Sequence, residues 1–368
     1  MIHAPALESI LEGRRQRLRQ IAAERGLEAV VMTSDASIAY LTGFSGLQFE
    51  RLFAVVVMTV GSDVIIAPKL EEQAVSAAPT TIDRITYGPE SNGLAELGAT
   101  LGNARRLGVE EDHLNFSRAN ALSSAGFHLV GAGSLVMELR AQKDEHEVER
   151  IRQACYVVEQ ALERAFGELR IGDVEQDVNR RVEHWLRDQG ATDVHALILF
   201  GPNSANPHGH VGAGSLAAGD VICADLSTCI EGYWGDLTRC GTAGPPSAWA
   251  LETWGAVLKA QAAAIGATKV GVPANAIDAA QRQILETVPQ LGRCLHGAGH
   301  AIGRDIHEPP YLVPRTETPV AAGMVFTIEP GLYQSGVGGI RLEDDVLVTE
   351  GGPVTLSTLP LGLRVVHS

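Results

Sequence analysis

Long apolar runs are missing from this 368-residue chain: none approaches the roughly 18–20 residues that a membrane-spanning helix needs. A basic face is missing too. The formal net charge is −15, and positive residues cluster only at Arg14–Arg19, which reads as the solvated side of a first helix. That balance excludes nucleic acid as a partner class. The amino-terminal stretch MIHAPALESILEGRRQRLRQ is amphipathic. It lacks the apolar block of about 7–15 residues that marks a secretory signal. Cysteine is scarce and odd in number: Cys155, Cys223, Cys229, Cys240 and Cys294, with no C-x-x-C spacing. Neither a disulfide framework nor a thiolate metal site follows from that set, and a reducing cytoplasm is the expected setting. Each cysteine reads as a small core residue. The sequence also has no H-E-x-x-H and no serine nucleophile elbow, and its first half has no phosphate or dinucleotide loop.

What is present is a soluble-type composition, 45% hydrophobic and 20% charged, in a chain too long for one ordinary core. Two domains are expected, 1–140 and 141–368. The first reads as an α/β unit with a mixed sheet. A helix through Leu7–Arg25 precedes strand-like runs at Glu28–Met32, Phe53–Val60, Asp63–Ala67 and Leu107–Glu110, with helices at Lys69–Ser76 and Ser117–Ser124. Tyr40–Gly46 reads as a loop. The charged stretch Arg140–Glu145 is the expected linker. Asp144 and Glu147 form a capping-box pattern ahead of a long amphipathic helix. A second helix is expected from Asp173, with Gln176 as its box partner, to Gly190. Short strands follow at Leu197–Gly201 and Asp220–Leu226. Ser247 and Pro273 then open another helix pair ahead of further strands. Helix pair, strands, helix pair, strands is the order of a duplicated α+β unit.

Two carboxylate pairs stand out. Asp225 lies in an otherwise apolar strand, where an unpaired carboxylate is costly to bury. A turn at Cys229–Gly232 would set Asp225 directly opposite Asp236. A turn centred on Gly336 would set Glu329 opposite Glu343. Like charges that close repel unless a cation neutralises them. Either pair alone reads more simply as hairpin surface charge. Together, and with the histidines of HGAGHAIGRDIHE, they point to a metal site. His296, His300 and His307 have helical spacing, but the intervening glycines favour extended or looped backbone. His300 is the expected ligand among them. His208, with His210 beside it, lies in the loop GPNSANPHGH after a strand, where catalytic groups often sit. The other histidines, including His195, read as structural. Four carboxylates and one imidazole form an oxygen-rich set that suits Mn²⁺, with Zn²⁺ or Co²⁺ as further possible occupants. The chemistry of such a site is hydrolytic.

The order Asp225, Asp236, His300, Glu329, Glu343, carried on VICADLSTCIEGYWGDLTR, HGAGHAIGRDIHEPP, FTIEPGLY and GIRLEDDVLVTEGG together with GPNSANPHG, resembles the pita-bread metallopeptidases. That family comprises methionine aminopeptidase, aminopeptidase P, prolidase and the metal-free relative creatinase. The resemblance implies an α/β amino-terminal domain followed by an α+β pita-bread catalytic domain. It also implies two divalent metal ions per subunit. Asp225 would hold one ion, Asp236 and Glu343 would bridge, and His300 and Glu329 would hold the other. Glu329 would also shuttle a proton. His208 and His307 would assist the reaction from the substrate side, His296 would shape the substrate pocket, and Arg341 would steady the carboxylates. Tyr233 and Thr238 are expected to be structural. Ser227 and Cys240 depart from the family's usual glycine and threonine without removing a ligand.

An amino-terminal domain of this size implies the proline-directed branch, whose members are commonly homodimers. The expected activity is hydrolysis of the Xaa–Pro bond of short peptides, leaning to an Xaa-Pro dipeptidase (prolidase). The alternative is aminopeptidase P, which releases the residue before proline from longer peptides. A catalytically silent protein-binding scaffold is a remoter reading, because the ligand set is intact.

Overall fold

The computed structural model describes residues 4–46 and 48–367. The chain divides into two compact units, Met1–Arg140 and Ala141–Ser368.

In the first unit the elements are α1 (Ala4–Glu24), β1 (Ala29–Met32), α2 (Asp35–Thr42), β2 (Ala54–Met58), β3 (Val64–Pro68), α3 (Glu72–Ala77), β4 (Asp83–Tyr87), α4 (Leu94–Leu101), β5 (Arg106–Val109), α5 (Phe116–Ser124), β6 (His128–Gly131) and α6 (Gly133–Ala141). The strands form one sheet in the order β4-β3-β2-β1-β5-β6. β1, β2 and β3 pair antiparallel, whereas β3–β4, β1–β5 and β5–β6 are parallel, so the sheet is mixed as expected. Its central strands are apolar on both faces because each face is covered: one core contains Val30, Val55 and Ile65, the other Val31, Val56 and Ile66.

Two expectations for this unit need correction. Tyr40–Thr42 are not loop: they form the last turn of α2, which stops at a left-handed Gly43. The arginine run is not a solvated face either. Arg14 and Arg15 are buried, and their guanidinium groups donate to the carbonyls of Tyr40 (3.1 Å) and Leu41 (2.8 Å). The carboxy-terminal carbonyls of α2 have no partner within the helix, and two cations satisfy them.

The second unit continues with α7 (Glu145–Glu168), α8 (Glu175–Asp188), β7 (Asp193–Phe200), β8 (Val221–Ile230), β9 (Tyr233–Ala243), α9 (Ala248–Ala267), α10 (Ala274–Leu285), β10 (Gly299–Ala301), β11 (Glu308–Leu312), β12 (Val325–Ile328), β13 (Gly331–Gln334), β14 (Gly338–Arg341), β15 (Asp344–Thr349), β16 (Gly352–Thr355) and β17 (Arg364–Val366). Two main sheets form, β17-β9-β8-β7 and β11-β10-β12-β15-β16, with β13–β14 as a separate ribbon. α7 starts with the full capping box: Asp144 accepts from the Glu147 N–H at 2.9 Å, and Glu147 accepts from the Asp144 N–H at 3.2 Å. Val148, Ile151, Cys155, Val158 and Leu162 then form one face of α7 in a core with Leu226 and Leu237 of the sheet. Ser247 caps α9 as expected. Asp173 does not cap α8: its carboxylate accepts from the Arg170 N–H at 2.9 Å, and α8 begins two residues later behind Val174.

No helix among the described residues is long and apolar enough to cross a membrane. All five cysteines are free, with Cys155, Cys223, Cys229 and Cys240 buried.

Candidate metal centre

The β8–β9 hairpin turns on Glu231 and Gly232, with φ of 50° and 81°. Two consecutive left-handed residues match the twist of the flanking strands, and glycine takes that conformation without strain. The ladder therefore runs Ile230↔Tyr233, Ser227↔Asp236 and Asp225↔Thr238. The expected direct opposition of Asp225 and Asp236 is corrected, because the turn lies one residue further along the chain. That slip changes each partner by two residues, so both carboxylates stay on the same face as diagonal neighbours.

The second pairing holds. Ile328 pairs with Asp344 and Gly331 with Arg341, so Glu329 and Glu343 fall opposite each other between these rungs. The Glu343 N–H donates to the Thr238 carbonyl at 3.2 Å, which joins this hairpin to β9.

HGAGHAIGRDIHE is not a helix. His300 lies in the short strand β10, paired with Tyr311. Gly299 has φ of 150°, and a Cβ there would fall 2.0 Å from the Thr327 carbonyl oxygen. Glycine thus lets β10 press against β12, and the His300 N–H donates to Thr327 Oγ1 at 3.1 Å.

These elements bring one donor atom each from Asp236, His300 and Glu343 within 4.8 Å of one another, all three buried. Glu329 Oε1 lies 3.7 Å from His300 Nε2. Asp225 stands outside that triad, with its Oδ2 accepting from Arg341 Nη2.

The chemistry of the set fits a divalent cation. Asp236 Oδ1 is buried and receives no hydrogen bond, a costly arrangement unless a cation faces it. His300 Nδ1 lies 3.1 Å from the Ala301 carbonyl. That contact places the ring proton on Nδ1 and leaves the Nε2 lone pair for a ligand. Burial, followed by the charge of His307, lowers the His300 pKa to about 3, so the ring is neutral. Burial, followed by repulsion from Glu343 and Asp225, raises Asp236 well above the usual carboxylate range. Glu343 is raised well above that range by burial and then by Glu329. Burial pushes Glu329 up to about 7, with Arg341 opposing and Asp225 adding to the shift.

Arg341, 4% exposed, organises the surroundings. Its Nε donates to Thr238 Oγ1 at 3.1 Å, and Thr238 in turn donates to Glu343 Oε2 at 2.6 Å. Nη1 donates to the Tyr333 hydroxyl at 2.7 Å, and that hydroxyl lies 2.8 Å from His296 Nε2. The other nitrogen of His296 lies 2.9 Å from the Gly297 carbonyl. One direction of donation satisfies every group: arginine to tyrosine, tyrosine to imidazole, imidazole to carbonyl. Burial lowers the His296 pKa to about 4, which leaves the ring neutral as this chain requires. His296 is therefore held by protein at both nitrogens.

His208 lies exposed in the loop after β7. His307 is exposed, with its ring centroid 4.1 Å from that of His300. Burial, then the charges of His208 and His195, lower the His307 pKa. Sequence reasoning read His195 as structural and did not place it on the Asp236 face. It pairs with Ser227, which pairs with Asp236 on the other side, so His195 shares their face. Its ring lies 5.7 Å from that of Trp234. The missing signal was the start of β7, which lies at Asp193 rather than near Leu197. Tyr333 was missed as well, because nothing local marks a tyrosine as the partner of an arginine eight residues on.

The sequence model of Metallopeptidase family M24 matches residues 149–350, and that of the Creatinase/Prolidase N-terminal domain matches residues 14–142. The chain belongs to metallopeptidase family M24. It is 33% identical over 330 residues to an uncharacterized peptidase of Staphylococcus aureus (strain MSSA476), covering 88% of this chain and 93% of that one. Its fold is similar to dipeptidase PepE from Mycobacterium ulcerans, with a TM-score of 0.89 and 30% identity over 98% of this chain and 99% of the other. It is also similar to the Xaa-Pro dipeptidase from Bacillus anthracis, with a TM-score of 0.90 and 28% identity over 96% and 99%. The second unit thus has the pita-bread fold of M24 peptidases and the first the creatinase-type α/β fold. Membership of M24 makes this a peptidase of a metallopeptidase family, and that membership implies the use of divalent metal.

Proposed function

We propose that this M24 peptidase hydrolyses the Xaa–Pro bond of short peptides as an Xaa-Pro dipeptidase that works with two Mn²⁺ ions. Asp225 would hold one ion, Asp236 and Glu343 both, and His300 and Glu329 the other. The observation that carries the reading is the buried convergence of Asp236, His300 and Glu343, with an Asp236 oxygen that no protein donor satisfies. The likeness to a dipeptidase and an Xaa-Pro dipeptidase supports the substrate class. Bound cations would supply Lewis-acid polarisation of the scissile carbonyl and acidify the attacking water.

The protein's own groups then have distinct tasks. Glu329, whose Oε1 lies 3.7 Å from His300 Nε2 at the edge of the triad, is placed to pass a proton to the leaving proline nitrogen. His307 stays neutral because its pKa is lowered, so it can donate one ring N–H to the substrate. His208, exposed in its loop, would offer a ring nitrogen to the substrate as well. Arg341 holds Asp225 and, through Tyr333, the His296 ring that borders the pocket. The protein would act in the cytoplasm as a homodimer.

The test is to load purified protein with Mn²⁺ and compare hydrolysis of Xaa-Pro with that of Xaa-Pro-Yaa. Faster cleavage of the dipeptide supports the dipeptidase reading. Preference for the longer peptide makes the protein an aminopeptidase P. Cleavage of neither, with two ions bound, overturns the proposal.

A further inference from the structure

The loop that carries His208 has a single buried carboxylate at its base. Glu175, in the first turn of α8, is 2% exposed. Its Oε1 accepts from the N–H of Phe200, the last residue of β7, at 2.7 Å. Its Oε2 accepts from Asn203 Nδ2 at 2.8 Å and from the Gly212 N–H at 2.9 Å. The Asn203 amide also donates to the His210 carbonyl at 3.1 Å. Two backbone bonds tie the outgoing stem to the same helix start: Gln176 N–H to the Gly212 carbonyl at 3.1 Å, and Glu175 N–H to the Gly214 carbonyl at 3.0 Å. One side chain therefore closes both stems of the segment 200–212, while His208 itself is exposed at its far part.

We propose that Glu175 is a positioning residue that sets the aim of His208 at the substrate. This rests on His208 acting from the substrate side, as in the function proposed above. The carboxylate is required chemically because it must accept at three points. A glutamine there has one acceptor oxygen, and its amide would face the Asn203 or Gly212 donors. The loop would then lose one stem contact, and His208 would lose its fixed direction.

The experiment is a double-mutant cycle on Mn²⁺-loaded full-length protein with Glu175→Gln and His208→Ala. Displacement of a catalytic group by about 1 Å is enough for a large rate loss. We expect E175Q to lower kcat/KM about ten-fold or more in the wild-type background but less than about two-fold in the H208A background. Metal content should be unchanged. Equal losses in both backgrounds would overturn the proposal, because a merely structural effect does not depend on His208. Two further readouts do not need activity: amide hydrogen exchange over residues 200–213, and the histidine ring NMR signal of His208. Both should change in E175Q, and no change in either overturns the proposal even if wild-type protein cleaves no Xaa-Pro peptide. That last result would instead count against the proposed function. Should E175Q fail to fold, Asn203→Ala, which cuts the Glu175 and His210 contacts together, takes its place with the same expected outcomes.

Discussion

At the level of single residues the centre is a problem of buried charge. Asp236, Glu343, Glu329 and Asp345, whose carboxylate accepts from the Asp236 N–H at 3.1 Å, all have pKa values raised by burial, the last two to about 7. Their unfolded values lie near 4. A carboxyl group with a raised folded pKa binds its proton more tightly when folded, so the fold is favoured at low pH. For Glu329 and Asp345 that advantage falls away between roughly pH 4 and pH 7, and for Asp236 and Glu343, raised further, the loss extends to higher pH. His296 and His300, lowered to about 4 and 3, work in the opposite sense only up to the free histidine value of about 6.5, so metal-free protein should melt at a lower temperature at about pH 8 than at about pH 6.5, as calorimetry would show. Added Mn²⁺ should reverse the order, because the ion competes with those protons. A metal-free melting temperature that rises over this window would contradict the charge assignment. Glu343→Ala is the sharper probe. It removes a carboxylate from the triad and the acceptor of Thr238. Elemental analysis should find metal occupancy and activity lost together, and a mutant that keeps both ions would show that Glu343 is not a ligand. Asp225 stood out in the sequence because it interrupts an apolar strand, and the register sets it on the same face as Asp236. The Arg341–Tyr333–His296 chain was not, since its members meet only when β14, β13 and the segment before β10 fold together.

At the level of elements, register decides which side chains meet. The register of β12 and β13 against β15 and β14 was readable from the position of Gly336, and Glu329 and Glu343 face each other accordingly. The β8–β9 register was misread by one residue at the turn, because a glutamate occupies a left-handed position there and disguises the two-residue loop. Replacing Gly232 by valine puts a β-branched residue at φ of 81°. Denaturant unfolding should show a loss of about 1–3 kcal/mol, and an unchanged midpoint would refute the turn assignment. Asp144→Ala should cost about 1 kcal/mol and leave metal occupancy untouched. A loss of metal in that variant would mean that the start of α7 is coupled to the centre. Asp173 shows the limit of such patterns: the same local signature is satisfied by a turn rather than a cap, because Arg170 offers its N–H first.

At the level of the whole molecule, the α/β and α+β classes of the two units were legible from the alternation of elements and from the motif order. The burial of Arg14 and Arg15 was not, since nothing near them in sequence announces the carbonyls of Tyr40 and Leu41 that hold them. The central claim is that carboxylates and His300 from several separate strands assemble a dinuclear centre that cleaves before proline. It is tested most directly by stripping the protein with a chelator and titrating Mn²⁺ back while following hydrolysis of an Xaa-Pro dipeptide. The account predicts no activity in the stripped protein and full activity at two ions per chain. Hydrolysis that persists without metal, or two tightly bound ions with no cleavage of the Xaa–Pro bond, would contradict it.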